Sequence, residues 1–377
     1  MQPTLPIWDS VPWPGLPALD SHVETDVCVI GLGGSGLSCV RELRALGRRV
    51  AGIDAKRVAA GAAGRNGGIL HPGTGAAYHV AVRTLGCTRA VRLYELSLAQ
   101  LHLMALEAPG TVRLTGLLRL ATDEEEFADC VREYEAMRAD GLRAELRTGD
   151  GGRGLFLPDG AAMQPLDRCR ALARRAAHEG ALLFEQTRAV TLSANEVVTP
   201  GGRIRCSSVV VAVDGGLETL VPELAARVRT ARLQMLGTAP APEVAIPCPV
   251  LSNHGFDYWQ QLPDGSIALG GGRNRDMDSE WSCSNEPSSA IQRYLEELLR
   301  GTLGVRAPIT HRWAANVSFT KSGLPVLAEV RPGVWAIGGY SGTGNLLGAL
   351  AGVAVARAAC GHPSEFASLL IPESGRP

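Results

Sequence analysis

Short apolar runs and stretches with helical periodicity alternate along the first part of the chain. Residues 26–30 and 49–53 have the continuous apolar character of buried strands, and residues 37–46 between them have helical spacing. This order predicts a parallel βαβ unit. Apolar residues also recur at helical spacing from residue 76 to 107, which predicts one or two helices broken near Gly86.

Further elements follow the same two periods. Residues 123–140 predict an amphipathic helix that opens with Asp123 and three glutamates, whose charges we expect on a solvated face. The pattern after residue 228 changes to alternating strands, with a hairpin turn at residues 263–265. The other predicted elements are strands at 116–121, 181–185, 208–213 and 334–337 and helices at 166–179 and 287–299.

Composition limits the class of protein. A chain of 377 residues with a net charge of −1 suits two intimately joined domains that bind small molecules, with no nucleic-acid partner and no metal. Nine cysteines without CxxC spacing are typical of buried thiols in a reducing cytoplasm. No Lys or Arg precedes Arg41 and no apolar run reaches membrane-spanning length, so we expect a cytoplasmic location. Oligomeric state stays open.

The sequence Gly31-Leu-Gly-Gly-Ser-Gly36 follows the first strand and opens the first helix. Gly31 allows a sharp turn, Gly33 allows backbone N–H groups to approach a pyrophosphate, and Gly36 allows close packing of helix and strand. Asp54 closes the second strand, where a carboxylate accepts hydrogen bonds from ribose hydroxyls. Together these residues predict a dinucleotide site.

The glycine-rich run from Gly61 to Gly73 contains Gly64-Arg-Asn-Gly-Gly68. With this run the chain resembles the D-amino-acid oxidase and glycine oxidase (DAO) superfamily, most closely its γ-glutamylputrescine-oxidase-like branch, in which "SGRNGG" follows the ribose acid. The resemblance covers nearly the whole chain and implies FAD as cofactor. Covalent relatives carry a His near the position of Arg65 or a Cys in the C-terminal segment. Neither is present, so we expect noncovalent FAD.

The resemblance also implies the fold and the domains. We expect an α/β + β protein with a Rossmann-like FAD-binding domain of the glutathione-reductase type and an interleaved antiparallel-sheet substrate domain. After an N-terminal arm (1–25), the FAD domain comprises residues 26–83, 154–228 and 309–377, and the substrate domain 84–153 and 229–308. A second cofactor contact is expected at Gly338–Gly344, where Thr343 replaces a common His and a helix N-terminus stabilises the anionic reduced ring.

The residues that we expect to contact FAD lie in the two glycine motifs, the loop that follows Asp54, and a few positions between them. They are Gly31, Gly33, Gly34, Ser35, Gly36, Asp54, Ala55, Lys56, Gly64, Arg65, Asn66, Gly67, Gly68, Ile69, Ala189, Val190, Val213, Gly338, Gly339, Gly342, Thr343, Gly344, Asn345 and Leu346. For Arg65 and Asn66, bracing of the loop is the alternative role.

Five residues are candidates on the substrate side. The segment 256–273 resembles the family's "YWRQLPDGRLLLGGG", and strand alternation places Tyr258 and Gln260 on the face that we assign to the substrate. The opposite face would carry the domain core. His71 is a candidate for the flavin edge or the substrate, against simple hydrogen bonding in a loop. Arg312, like Arg273, is a candidate for a substrate carboxylate.

By resemblance, the reaction is transfer of a hydride from the carbon next to an amine to flavin N5, which gives an imine. Several oxidases of the superfamily place a lysine over the flavin, but residues 229–308 contain none, so we expect slow reaction with oxygen and a quinone or other carrier as electron acceptor. A flavin-dependent monooxygenase and a non-catalytic FAD-binding subunit remain alternatives. The particular amine or amino acid is left open.

Overall fold

The computed structural model describes residues 4–149 and 152–370. Its α-helices are α1 Gly34–Ala45, α2 Tyr78–Leu85, α3 Cys87–Glu107, α4 Glu124–Ala139, α5 Pro165–His178, α6 Leu217–Leu220, α7 Met277–Glu280, α8 Ser289–Glu297, α9 Leu347–Ala359 and α10 Glu365–Leu370.

The strands range from two to twelve residues in length. They are β1 Val23–Glu24, β2 Val27–Ile30, β3 Val50–Ile53, β4 Ile69–Leu70, β5 Val112–Arg113, β6 Leu117–Leu120, β7 Glu145–Gly149, β8 Gly152–Leu157, β9 Ala161–Met163, β10 Leu182–Phe184, β11 Thr191–Leu192, β12 Glu196–Thr199, β13 Gly202–Arg205, β14 Ser208–Val211, β15 Val228–Thr238, β16 Val250–Ser252, β17 Asp257–Gln261, β18 Ile267–Gly270, β19 Ile309–Thr320, β20 Val326–Arg331 and β21 Val334–Gly338.

The chain divides into two compact units. The first contains the N-terminal residues up to Ser10 together with Arg65–Gln164 and Ala231–Asn316. The second contains Val11–Gly64, Pro165–Thr230 and the residues from Val317 onward. Each unit therefore combines segments that are far apart in the sequence.

The second unit is built on a mainly parallel sheet with the order β10-β3-β2-β14-β21-β20. The strands from β10 to β21 are parallel, and β20 joins β21 as an antiparallel edge. All four residues of β2 and of β3 are buried, which is expected for parallel strands covered on both faces. A smaller sheet with the order β1-β13-β12-β11 adds to this unit.

The first unit contains the larger part of a sheet with the order β19-β15-β18-β17-β16-β6-β8-β7. From β15 to β7 in this order, neighbouring strands pair antiparallel except for β16 with β6, which is parallel. One face of this sheet packs on α8 through a cluster that includes Trp259, Leu269 and Leu295. The short strands β4, β9 and β5 form a separate small sheet.

Most predicted elements are confirmed. The break near Gly86 separates α2 from α3, and Gly86 has a φ of 80°. The two tryptophans of the N-terminal segment are buried, with Trp8 1% exposed and Trp13 8% exposed. In the residues that the structure describes, no helix is both long and apolar enough to cross a membrane.

The prediction of a solvated charged face on α4 is wrong for two of its glutamates. Glu126 is 3% exposed and Glu133 is 1% exposed. Glu126 accepts hydrogen bonds from the backbone N–H groups of Thr122 and His254, and Glu133 accepts one from Tyr78. Backbone donors replace the water of these carboxylates, and Glu133 also forms an ion pair with Arg119, so both can be buried. The charge pattern alone does not show such distant partners.

Candidate active site

The first glycine turn joins β2 to α1 and leaves the start of α1 without a side-chain cap. Gly31 has a φ of 105°, and a Cβ at Gly36 would overlap the carbonyl oxygen of Gly31, so glycine is required at both positions. The N-cap residue of α1, Gly33, makes no side-chain hydrogen bond to the helix. The backbone N–H groups and the helix dipole at this end therefore favour an anion such as a pyrophosphate.

Asp54 follows β3 and binds the first glycine turn directly. Its Oδ2 accepts a hydrogen bond from the backbone N–H of Leu32 at 2.9 Å, and its Oδ1 accepts one from the N–H of Lys56 at 2.8 Å. Burial raises the pKa of this carboxyl. Each carboxylate oxygen can accept a second hydrogen bond, so Asp54 can still accept from ribose hydroxyls. Lys56 is exposed and contributes through its backbone.

Three predicted cofactor residues lie between the motifs and differ in their surroundings. Val213 borders the first glycine turn, because a Cβ at Gly31 would lie 3.1 Å from its Cγ1. Ala189 packs on the hydrophobic core of the second unit. Val190 is 60% exposed, and its N–H donates to the carbonyl oxygen of Val198 at 2.8 Å. The amide of Val190 is therefore engaged in a hairpin.

The loop after Asp54 is held by hydrogen bonds to the backbone carbonyl and to the side chain of both Arg65 and Asn66. Trp313 Nε1 donates to the carbonyl oxygen of Arg65, and Arg65 Nη1 donates to a carbonyl oxygen of β19. Trp8 Nε1 donates to the carbonyl oxygen of Asn66, while Asn66 Oδ1 accepts from the N–H of Gly68 at 2.8 Å. These contacts support the alternative of loop bracing for both residues.

Tyr258 and Gln260 point from β17 toward this loop, whereas Trp259 belongs to the core on the other face. A Cβ at Gly67 would lie 2.8 Å from the Tyr258 ring, and one at Gly270 would overlap it. The ring is thus held between two glycines. The assignment of the two sheet faces agrees with this arrangement, since the face of Tyr258 meets the predicted cofactor loop.

Gln260 makes hydrogen bonds that the sequence did not predict. It is 2% exposed, its Nε2 donates to the carbonyl oxygens of Gly67 and Gly68 at 2.7 and 3.0 Å, and its Oε1 accepts from Arg113 at 3.1 Å. Both ends of the amide are therefore used inside the protein. These hydrogen bonds indicate that Gln260 positions the loop, and its catalytic role stays a prediction.

His71 follows β4 and lines a small cavity together with Tyr78, Tyr94 and Glu133. Burial, and secondly the charge of Arg119, lower the pKa of His71 to about 4. The imidazole is therefore neutral at neutral pH. The role of His71 at the flavin edge or the substrate stays a prediction.

The two candidate arginines for a substrate carboxylate have contacts within the first unit. Arg312 forms an ion pair with Glu296 at 2.7 Å and donates to Gln292 Oε1 at 3.0 Å, both on α8. The guanidinium of Arg273 lies over the Trp281 ring at 4.3 Å. The contacts of Arg312 are on the α8 side of β19, which argues against its predicted role with substrate.

The second glycine turn lies between β21 and α9. Gly339 and Gly342 have φ values of 69° and 93°, which favour glycine. Thr343 Oγ1 donates to the carbonyl oxygen of Tyr340 at 2.7 Å, so the residue that replaces the common His braces the turn. The N-cap of α9, Leu346, makes no side-chain hydrogen bond, and the first two helix N–H groups, of Leu347 and Gly348, donate to the carbonyl oxygens of Thr343 and Gly344. The positive end of the helix dipole, and not these two N–H groups, is therefore what α9 offers to a ligand.

Asp214 holds the second glycine turn. Its Oδ1 accepts from the N–H of Gly339 at 2.9 Å and, more weakly, from that of Tyr340 at 3.4 Å. Its Oδ2 accepts from the N–H of Ser318 at 3.1 Å. Burial raises the pKa of Asp214 to about 6, backbone hydrogen bonds oppose this change, and the charge of Glu218 adds to it.

The predicted residues separate between the two units. Those at 31–64, 189–213 and 338–346 belong to the second unit, and those at 65–69 belong to the first, as do His71, Tyr258, Gln260 and Arg312. The sequence prediction did not include Asp214 and Arg113 in the site. Asp214 stands out as an acid that ends a buried apolar run, whereas nothing local marks Arg113.

Comparison with known proteins identifies the family. The DAO family, described as FAD dependent oxidoreductase, matches residues 26–358. The probable oxidoreductase OrdL of Rhizobium meliloti (strain 1021) is 28% identical over 385 residues, covering 94% of this chain and 87% of that protein. The γ-glutamylputrescine oxidoreductase of Escherichia coli (strain K12) is 26% identical over 381 residues, covering 92% and 86%.

A solved structure supports the fold. Glycine oxidase from Geobacillus kaustophilus has a TM-score of 0.75 at 22% identity, covering 91% of this chain and 96% of that chain. At this identity the likeness concerns the arrangement of mixed sheets and helices. With two glycine turns, an acid after β3 and a family match over most of its length, the chain belongs to the DAO family of FAD-dependent oxidoreductases.

Proposed function

We propose that this protein oxidises an amine or an amino acid. When bound, FAD accepts at N5 a hydride from the carbon next to the amine nitrogen, and the imine product is then hydrolysed by water. The family match supports the redox chemistry. The amine class is supported by the relatives, which include a γ-glutamylputrescine oxidoreductase and a glycine oxidase.

The residues present fit FAD. Each of the two glycine turns precedes a helix without a side-chain cap, and Asp54 keeps acceptor capacity at the end of β3. We propose that the second unit binds FAD through these features as a Rossmann-like fold of the glutathione-reductase type. The parallel order from β10 to β21, with α1 crossing between β2 and β3, supports this proposal.

The observation that carries the proposal is the contact between the substrate face and the cofactor loop. Tyr258 on the large sheet lies against Gly67, and Gln260 binds the carbonyl oxygens of Gly67 and Gly68. The sheet face that we assign to the substrate is thus fixed to the loop that we assign to FAD. We therefore propose that the Tyr258 ring forms one wall of the substrate site and restricts how the amine is placed.

Catalysis by positioning fits the other residues. His71 is neutral at neutral pH because its pKa is lowered to about 4. Within residues 4–149 and 152–370, no group of three or more His, Cys, Asp or Glu side chains is arranged to hold a metal ion. We propose that the chain contributes by orienting the substrate against the flavin and by excluding water. Holding two reactants in the right geometry can raise the reaction rate by a large factor.

We propose that FAD is bound noncovalently. Covalent relatives carry a His near the position of Arg65, whose carbonyl oxygen accepts from Trp313 and whose guanidinium donates to the carbonyl oxygen of Ala314, both on β19. Cys360 caps the C-terminal end of α9, about 20 Å from the second glycine turn at 1.5 Å per helical residue. Acid precipitation should release free FAD, and flavin that stayed in the protein pellet would disprove this assignment.

The electron acceptor and the location are also proposals. We propose a quinone or other carrier rather than oxygen, because His71 is neutral and both lysines, Lys56 and Lys321, are exposed. All nine cysteines lie in the described part of the chain and are free, which supports a reducing, cytoplasmic location. The partners that we propose are a small amine or amino-acid substrate and this acceptor.

Anaerobic mixing of the FAD-loaded protein with a panel of amines and amino acids tests the proposal. The panel includes secondary amines, D-amino acids, glycine and polyamine derivatives, with the flavin absorbance as readout. We expect at least one compound to bleach the flavin without NADPH. Bleaching that required NADPH would indicate a monooxygenase, and a flavin that no panel member bleached would favour a non-catalytic FAD-binding subunit.

A further inference from the structure

We propose that Asp214 is a positioning residue that fixes the second glycine turn for FAD. This inference rests on the proposed binding of FAD by the second unit. It concerns a residue outside both glycine motifs, at the end of the buried strand β14.

The geometry places one carboxylate against two segments of the chain. Asp214 Oδ1 accepts from the N–H groups of Gly339 and Tyr340, which are consecutive residues of the glycine turn. Its Oδ2 accepts from the N–H of Ser318 on β19, and its carbonyl oxygen accepts from the hydroxyl of Ser318. The carboxylate therefore ties the turn to β14 and β19.

A carboxylate suits this position because every side-chain contact comes from an N–H donor. An ionised carboxyl accepts at both oxygens, whereas an asparagine would direct an amide N–H at the N–H of Ser318. A shorter side chain would leave buried N–H groups without an acceptor, at a cost in stability. The chemistry of the three donors thus selects an acid here.

Ser318, which binds Asp214, is also next to a polar cluster formed by Thr230 and Glu218. Thr230 donates its N–H and its hydroxyl to the two oxygens of Glu218 at 2.7 and 2.9 Å. The hydroxyl of Thr230 also lies 3.1 Å from that of Ser318. Glu218 accepts these two bonds and, among the described residues, none from the glycine turn, so it is a matched control for the loss of a carboxylate close to Asp214.

The second glycine turn is hydrogen-bonded to the first residues of α9. Leu347 donates its N–H to the carbonyl oxygen of Thr343, and Gly348 donates to that of Gly344. Tyr340 packs on both Gly344 and Gly348, each of whose Cβ positions would lie within 3.4 Å of its side chain. A shift of Tyr340 would therefore move the glycine turn and the start of α9, which we assign to FAD binding.

The test compares Asp214→Ala, Asp214→Asn and Glu218→Gln with the unchanged protein. Each apoprotein is titrated with FAD, the visible spectrum and reduction potential of the bound flavin are recorded, and the thermal unfolding of the apoprotein is measured. We expect Asp214→Ala to weaken FAD binding about tenfold or more and to change the flavin spectrum. Asp214→Asn should recover part of this loss, because its oxygen can still accept from Gly339.

Glu218→Gln should bind FAD within about twofold of the unchanged protein, even where its apoprotein loses thermal stability. Equal FAD affinity and an equal flavin spectrum in Asp214→Ala and Glu218→Gln would overturn the inference. If Asp214→Ala does not fold, Asp214→Asn decides in its place, since it should bind FAD more weakly than Glu218→Gln. Failure of the unchanged protein to bind FAD would overturn the proposed function itself.

Discussion

Replacing Gln260 by alanine should loosen the loop that contains Gly67 and Gly68. The substitution removes the donor to both carbonyl oxygens and the acceptor for Arg113. Gln260 is 2% exposed, so water does not readily replace the amide. A buried group left without its partner costs about 1–3 kcal/mol, and some relaxation is expected, so we predict a loss of about 2–4 kcal/mol in the free energy of unfolding.

Gln261→Ala provides a matched control from the next residue of β17. Its side chain is on the other face, where Oε1 accepts from the N–H of Ile246 at 2.9 Å. Its Nε2 donates to the carbonyl oxygens of Ala241, Val244 and Gly265 at 3.3, 3.2 and 3.0 Å. Gln261 therefore makes a similar number of hydrogen bonds but braces the hairpin instead of the loop.

Urea unfolding of the two apoproteins and FAD titration with visible spectra separate the two effects. Both variants should unfold at lower urea concentration, since the change in midpoint reports the lost free energy. Only Gln260→Ala should also weaken FAD binding and change the flavin spectrum. The reasoning is refuted if both variants bind FAD equally, or if Gln260→Ala unfolds at the urea concentration of the unchanged protein.

Three further predictions concern single groups. Asp54→Ala should weaken FAD binding by about 1–3 kcal/mol, measured by titration of the apoprotein, because ribose hydroxyls lose a buried acceptor. The contribution of Asp214 to stability should fall as pH rises from about 4 to about 6, because its raised pKa makes the folded state bind more protons than the unfolded state at this group. The lowered pKa of His71 acts in the opposite direction over the same window, so the comparison is between variants: in urea unfolding, the unchanged protein should lose stability relative to Asp214→Asn as pH rises from about 4 to about 6. Reduced flavin should react more slowly with oxygen than with a quinone in stopped-flow measurements, and His71→Ala should leave the oxygen rate unchanged because the imidazole is neutral.

The sequence was sufficient to predict the elements that depend on local patterns. The glycine turns, the strands β2 and β3 and the break at Gly86 follow from apolar periodicity and from the conformational freedom of glycine. The opposite orientation of Tyr258 and Trp259 follows from the alternation of side chains along a strand. These predictions require no knowledge of which segments meet in the fold.

The roles of several side chains depend on partners that are distant in the sequence. Gln260 reaches a loop 192 residues away, and Arg312 forms an ion pair with Glu296 of α8. Burial of Glu126 and the neutral state of His71 likewise depend on packing between elements. A pattern along the chain identifies such residues as candidates, but their function follows only from the donors and acceptors that surround them.

We propose above that the protein removes a hydride from the carbon next to an amine nitrogen. The most direct test is the anaerobic rate of flavin bleaching with the best amine of the panel, measured by rapid mixing with the ordinary compound and with one deuterated at that carbon. We predict that the flavin is bleached and that deuterium slows the bleaching, because this bond breaks as the flavin is reduced. Bleaching at equal rates with both compounds when the chemical step is rate-limiting, or no bleaching by any amine, would contradict the account.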